Sequence, residues 1–291
     1  MKKILFLNGL TEHAPDTYLF ALKIAAHFQT SLTLLHVFDP PTPTLLENDM
    51  LTDLEMPQQL VRFAEDQKKA RRKEIEQFVK QYTLPAFQAV PREIVVEGGD
   101  LLLTTVQWVK KSQPDLLVMG LHHHNRFMEI FHASLPNLAD HLSCPILFVP
   151  PEAHYSGFLN LLYVTDGNLQ RDAGALQQLL QWAEAFRSQV HVLLLDQELE
   201  PDAVSTIRTR WAGAMDNTVT SFHWIQNDST KWDYEDRYPD AIMHYADRSG
   251  ADLIVLHAHH QGFWGRLLTP SAEKEVMHRS TIPILLGKWE D

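Results

Sequence analysis

The chain carries the same ending twice, and that repeat limits its fold more than any other feature. Asp115-Leu116-Leu117-Val118-Met119-Gly120-Leu121-His122-His123 returns as Asp252-Leu253-Ile254-Val255-Leu256-His257-Ala258-His259-His260. Ser143-Cys144-Pro145-Ile146-Leu147-Phe148-Val149 returns as Thr281-Ile282-Pro283-Ile284-Leu285-Leu286-Gly287. Asp115 to Pro145 spans 30 positions and Asp252 to Pro283 spans 31, so both halves keep one internal plan. The starts agree as well: Ile4-Leu5-Phe6-Leu7-Asn8-Gly9 matches Leu161-Leu162-Tyr163-Val164-Thr165-Asp166. A period near half the chain far exceeds the roughly 20 to 50 residues of a solenoid module, so the repeated unit is a domain.

For 291 residues, a prior of about 150 residues per domain also gives two, with boundaries expected at 1–150 and 151–291. Hydrophobic residues at 45% and charged residues at 21% are ordinary for a globular protein. A formal net charge of -12 argues against nucleic acid or an anionic membrane as the main partner, since both reward a basic surface. The opening apolar run stops at Asn8-Gly9, which is too short for an export signal, and no stretch approaches the roughly 20 apolar residues of a membrane span. The single cysteine, Cys144, heads an apolar strand and is expected to be a buried, inert thiol. A cytoplasmic location is the expectation.

Strand and helix signals alternate. Short apolar runs at Lys3 to Leu7, Leu32 to Val37, Glu93 to Val96, Leu116 to Met119 and Ile146 to Val149 read as strands covered on both faces. Between them, helices are expected over Pro15 to Gln29, over Met56 to Tyr82, from the turn Gly98-Gly99-Asp100 through Lys111, and over Leu135 to Leu142, the second of these long and largely solvated. Pro150-Pro151-Glu152-Ala153 is expected to be a stiff, exposed connection between the halves. The second half repeats the strands near Asn160 to Val164, Val190 to Leu195, Thr220 to Gln226, Leu253 to Leu256 and Ile284 to Leu286. Its second helix, about Asp202 to Met215, is shorter, which accounts for the repeat offset falling from 157 at the first strand to 137 at Asp115/Asp252. Such alternation implies α/β domains built on doubly wound parallel sheets, with ligands beyond the carboxyl ends of the strands at the topological switch point.

The strand-four ending resembles that of the universal stress protein family, and the likeness covers nearly the whole chain as a tandem two-domain member. Nucleotide-binding members follow D-L-[IV]-V-[ML] with a loop of pattern G-x2-G-x9-G-[ST]. Here those positions hold Gly120, His123 and Ala133-Ser134 in the first half, and His257, His260 and Pro270-Ser271 in the second. The spacing is kept and most glycines are replaced. Glycine there lets backbone N–H groups approach a phosphate without a Cβ in the way, so imidazole and proline reshape the cradle. The family's acid after strand one is present in Thr165-Asp166-Gly167, whereas the first half has Asn8-Gly9.

The resemblance implies two tandem flavodoxin-like domains, each a five-stranded parallel sheet sandwiched by helices. It also implies an intramolecular pseudo-dimer, with a further homodimer of chains left open. The nucleotide-binding positions it implies are Asn8, Gly9, Gly120, His122, His123, Ser134, Thr165, Asp166, Gly167, His257, His259, His260, Arg266 and Ser271. Ser134 and Ser271 open helices whose free N–H groups suit an anion, and Arg266 approaches the same place. The ligand on this reading is ATP or AMP, or no ligand where the degraded loops have lost it.

Six of the 16 histidines fall in the two equivalent loops. If those loops face one another, or if Asp166 leans over the second, His122, His257, His259 and His260 supply an N/O set for Zn²⁺. Against this, neighbouring histidines on an extended loop point different ways, and His122 and His259 occupy the family's own G-x-H position. Trp224, Trp232, Tyr234 and Tyr238 with Asp233, Glu235 and Asp236 form an aromatic, acidic insert, read as a packed surface loop or as a lid. No nucleophile elbow, Walker loop or dinucleotide fingerprint occurs in its strand-to-helix context, so dedicated catalysis has no signature. Three functions stay open: a cytoplasmic stress-response protein that binds a small ligand or a protein partner; a metal-binding or slowly nucleotide-hydrolysing protein using the histidine loops; and a ligand-free scaffold.

Overall fold

The computed structural model describes residues 1–40, 56–121, 142–151, 153–165, 173–195, 200–214, 219–224, 237–257, 275–277 and 279–287. Each apolar run becomes a strand: β1 (Lys3–Leu7), β2 (Ser31–Phe38), β3 (Arg92–Gly98), β4 (Leu116–Gly120), β5 (Ile146–Val149), β6 (Asn160–Thr165), β7 (Gln189–Leu194), β8 (Val219–Trp224), β9 (Leu253–His257) and β10 (Ile284–Gly287). The helices are α1 (Ala14–His27), α2 (Met56–Tyr82), α3 (Leu101–Ser112), α4 (Ala173–Phe186), α5 (Pro201–Ala214) and α6 (Arg237–Ser249). The helix expected over Leu135 to Leu142 falls almost wholly outside the described residues, as does most of the aromatic insert. A 3-10 turn at Pro85–Phe87 has no counterpart in the sequence reading.

The residues fall into two compact units, one within Met1–Gly120 and the other taking Leu121 and the residues from 142 onward. In the first unit the strands run parallel in the order β3-β2-β1-β4. In the second, β8-β7-β6-β9 repeats that order in parallel, β10 continues it beside β9, and β5 lies antiparallel against β10. The β5–β10 register is centred on Leu147↔Leu285, which are equivalent residues of the repeat, so this pairing has a local two-fold symmetry. All four residues of β5 are buried.

Each unit ties its first strand to its helices through aromatic rings, by way of the first helix in one unit and directly to the second helix in the other. Phe6 on β1 meets Tyr18 on α1 at 5.7 Å between ring centres, and Tyr18 meets Phe78 on α2 at 5.3 Å. Tyr163 on β6 meets Trp211 on α5 at 5.1 Å. Otherwise α2 is a solvated helix, held by surface pairs such as Lys68–Glu97 at 2.9 Å, with Ile75 and Phe78 buried beneath it. Pairs this exposed contribute about 0 to 1 kcal/mol each, so the buried side chains dominate its attachment.

The repeated aspartates have a structural role. Asp115 Oδ2 accepts the N–H groups of Lys2 at 2.6 Å and Lys3 at 2.8 Å, and its own N–H donates to Lys3 O at 2.9 Å. Asp252 does the same in the second unit. Its oxygens accept from Leu159 N at 2.8 Å, Asn160 N at 3.1 Å and Ser156 Oγ at 3.1 Å, while its N–H donates to Asn160 O at 3.0 Å. A carboxylate at the start of the fourth strand thus holds the start of the first, where a parallel neighbour leaves backbone donors unpaired.

Just before each clamp the helix ends in a left-handed residue, Gln113 at φ 47° and Gly250 at φ 62°. The link between the halves corrects one expectation. Pro150 is buried and Ala153 is only 7% exposed, because Ala153 N donates to Pro150 O at 3.1 Å and folds the small apolar residues inward. Cys144 is buried, as its place in the sequence suggested.

Candidate functional site

In the first unit the chain leaves β1 outward to β2 and β3, then returns to β4 on the other side of β1. The switch point of the sheet is therefore the crevice beyond the carboxyl ends of β1 and β4. With Leu7 paired to Met119, Asn8 and Gly120 follow one position later on adjacent strands. Asn8, Gly9 and Gly120 are thus brought to one end of the sheet. In the second unit the pairing of Tyr163 with Val255 brings Thr165 and the backbone of His257 to the matching place. His122, His123, Ser134, Asp166, Gly167, His259, His260, Arg266 and Ser271 lie outside the described residues.

Asn8 organises the first of these ends. It is 1% exposed, its N–H donates to Leu35 O at 2.8 Å, and its Oδ1 accepts the N–H of Leu10 at 2.9 Å. That last bond is an Asx turn. It holds Leu10 at φ 52°, a left-handed conformation that costs a non-glycine residue on the order of 1 to 2 kcal/mol and tends to collect at functional loops.

The sequence reading missed His36. It lies on β2 on the same face as Asn8, is 7% exposed, and its Nδ1 lies 2.8 Å from Asn8 O. A carbonyl oxygen only accepts, so Nδ1 carries the proton and the neutral ring presents a lone pair at Nε2. Burial pushes its pKa below the usual imidazole range and Arg71 lowers it further, with the Asn8 hydrogen bond and Glu74 acting the other way. Two atoms then stand buried without a hydrogen-bond partner, Asn8 Nδ2 and His36 Nε2. One is a donor and the other an acceptor. The only signal for His36 in the sequence is a lone histidine inside an apolar strand, Leu34-Leu35-His36-Val37, a pattern that ordinarily means a core residue.

The second unit is built differently at the same place. Thr165 is buried and its carbonyl accepts the backbone N–H of Leu195 at 2.9 Å, while Thr165 pairs with Leu194 where Asn8 has His36 beside it. As for metal, among the described residues no three His, Cys, Asp or Glu side chains come together, and of the four histidines proposed as ligands only the backbone of His257 is described.

Comparison with known proteins agrees with this architecture. The model of the universal stress protein family matches residues 1–150 and again 157–288. A universal stress protein from Archaeoglobus fulgidus superposes with a TM-score of 0.63 at 15% identity, covering 99% of this chain and 97% of its own. A putative universal stress protein from Pseudomonas aeruginosa gives 0.58 at 15% identity, covering 99% and 94%. A universal stress protein solved in complex with cAMP is 18% identical over 51% of this chain and 96% of its own, with a TM-score of 0.34. None of the curated proteins matches the chain. With a family domain matched in each half and the strand order repeated, the chain belongs to the universal stress protein family as a tandem member.

Proposed function

We propose that this protein is a cytoplasmic ligand-binding member of the family, with domains at 1–150 and 151–291, and that its first domain binds an adenine nucleotide at the strand-end site. The observation that carries this reading is the pair of buried, unpartnered polar atoms, Asn8 Nδ2 and His36 Nε2, beside the switch point. Leaving such atoms unpaired costs about 1 to 3 kcal/mol each, a cost that a bound group supplying an acceptor and a donor removes. The Watson–Crick edge of adenine carries both, N1 as acceptor and the exocyclic amine as donor. A strained loop at Leu10 and the exposed backbone of Gly9 beside this pair support the same reading. At the corresponding positions the second domain has Thr165 and Leu194.

The test is titration calorimetry of the whole chain with AMP and ATP, alongside native mass spectrometry of protein purified without chelator. One nucleotide per chain is expected. Asn8→Ser keeps an oxygen for the Leu10 turn but removes the amide donor, and His36→Phe removes the acceptor. Each should weaken binding at least about tenfold, the loss of one buried hydrogen bond, with the fold checked by circular dichroism. Absence of binding at millimolar nucleotide, or affinity unchanged in both variants, would overturn the proposal.

A further inference from the structure

The second unit holds a buried polar relay that lies apart from the strand-end site. His191 on β7 sits at a register shift: Val190 pairs with Val219 and His191 with Ser221, leaving Thr220 as the extra residue of a bulge. Bulges re-aim side chains. Here the shift sets Ser221 Oγ 2.7 Å from His191 Nδ1, and the same hydroxyl lies 2.9 Å from Tyr245 OH on α6. His191 and Tyr245 are 8% and 9% exposed, and His191 Nε2 is buried with no hydrogen-bond partner. In the first unit the β2–β3 pairing runs without a shift, with Thr33 opposite Glu93 at the matching positions, so bulge and relay belong to the second unit alone. Two residues further along the same strand face, His223 stacks on Tyr245 with ring centres 4.7 Å apart and planes at 17°.

The orphaned Nε2 fixes the tautomer of His191. If Nδ1 accepted from Ser221, Nε2 would carry a buried N–H with nothing to receive it, the costlier arrangement. Nδ1–H therefore donates to Ser221 Oγ, and that hydroxyl shares its second hydrogen bond with Tyr245 OH. Protonation then places a charged N–H at Nε2, in a position that offers it no acceptor. Among the described residues, the groups that face His191 are Leu162 from β6, Ser221 and His223 from β8, and Tyr245 from α6, with His244 and Arg248 of that helix acting on His223. None of these is a carboxylate. Below neutral pH this face gains positive charge with no negative partner among them.

We propose that the His191–Ser221–Tyr245 cluster makes β8 an acid-released element: protonating His191 sets a buried, unpartnered charge at Nε2, and parting β8 from β7 and α6 lets water reach it. β8 is the last strand in the order of its unit, and among the described strands it pairs only with β7, so its release does not require the inner strands to open. Burial holds the His191 pKa below its ordinary value in the closed form. Release restores a pKa of about 6.5, so opening becomes more favourable by up to about tenfold per pH unit below that, and ceases to change once the closed form also takes the proton.

The experiment is hydrogen exchange of the whole chain at neutral pH and at about pH 5, corrected for intrinsic exchange rates, comparing β8 with β9. In the wild-type protein β8 should lose at least about tenfold of its protection relative to β9 in acid. His191→Gln, whose amide still reaches Ser221 but does not titrate, should hold β8 protection constant. Nitrogen NMR of the wild-type imidazole supplies a readout that needs no variant, and should show the Nδ1–H tautomer at neutral pH. Protection of β8 that ignores pH, full pH dependence surviving in His191→Gln, or an Nε2–H tautomer would each overturn the proposal.

Discussion

Removing the second clamp should destabilise the second unit more than removing the first destabilises its own. Asp252 accepts three hydrogen bonds, two from backbone N–H groups of Leu159 and Asn160 and one from Ser156, and the carboxylate is half-buried. Asp252→Ala leaves those donors at a strand start with partial access to water. Taking about 1 kcal/mol for each backbone bond and less for the exposed hydroxyl gives a loss of about 2 to 3 kcal/mol. That is a large share of the 5 to 15 kcal/mol by which a domain is ordinarily stable.

Asp252→Asn should fall between wild type and alanine. Its amide keeps one acceptor oxygen but turns an NH2 toward donors, while relieving the burial that pushes the Asp252 pKa up against its hydrogen bonds. Asp115→Ala should cost less, since Asp115 is exposed and accepts from two groups that water reaches. The assay is equilibrium urea unfolding at neutral pH, followed by tryptophan fluorescence, which Trp182 and Trp211 of the second unit report, and by far-ultraviolet circular dichroism. Stability of Asp252→Ala within about 0.5 kcal/mol of wild type, or a larger loss from Asp115→Ala, would refute the reasoning, because either result would mean that water replaces the carboxylate at no cost.

Two further outcomes follow from the same structure. His36 has a folded pKa lowered by burial, so its contribution to stability is complete above its unfolded pKa of about 6.5 and is lost as pH falls from there through the folded value. Unfolding free energy should therefore decline below about pH 6.5, by at most about 1.4 kcal/mol per pH unit from this group, and His36→Phe should flatten that decline in a denaturant series taken across pH. Gly250 stands at φ 62° with nothing within 4 Å of the Cβ it lacks, so Gly250→Ala meets only conformational strain. A loss of about 1 kcal/mol is expected in urea unfolding, and no loss would mean that the helix end relaxes out of the left-handed conformation.

Most of the secondary structure was legible because its signals are local. Runs such as Leu116 to Met119 read as strands covered on both faces, and the doubling of Asp115 as Asp252 marks a repeated domain. The purpose of those two aspartates was not legible, since the backbone donors they hold lie 112 and 113 residues away in the first unit and 92 and 93 in the second.

The same distinction governs the sites. Asn8, Gly9, Gly120 and Thr165 follow strands recognisable by composition, and parallel pairing had to bring them to the ends of those strands. His36 reads as core until the carbonyl of Asn8 is seen to fix its tautomer. His191 becomes a relay member only because one extra residue in β8 aligns Ser221 with it. The antiparallel register of β5 with β10 and the burial of Pro150 and Ala153 were likewise decided by tertiary structure. Hydrophobic periodicity depends on a residue's near neighbours and so is written in the chain. Strand register, tautomer and the state of a buried polar atom depend on partners that only folding brings within hydrogen-bonding distance.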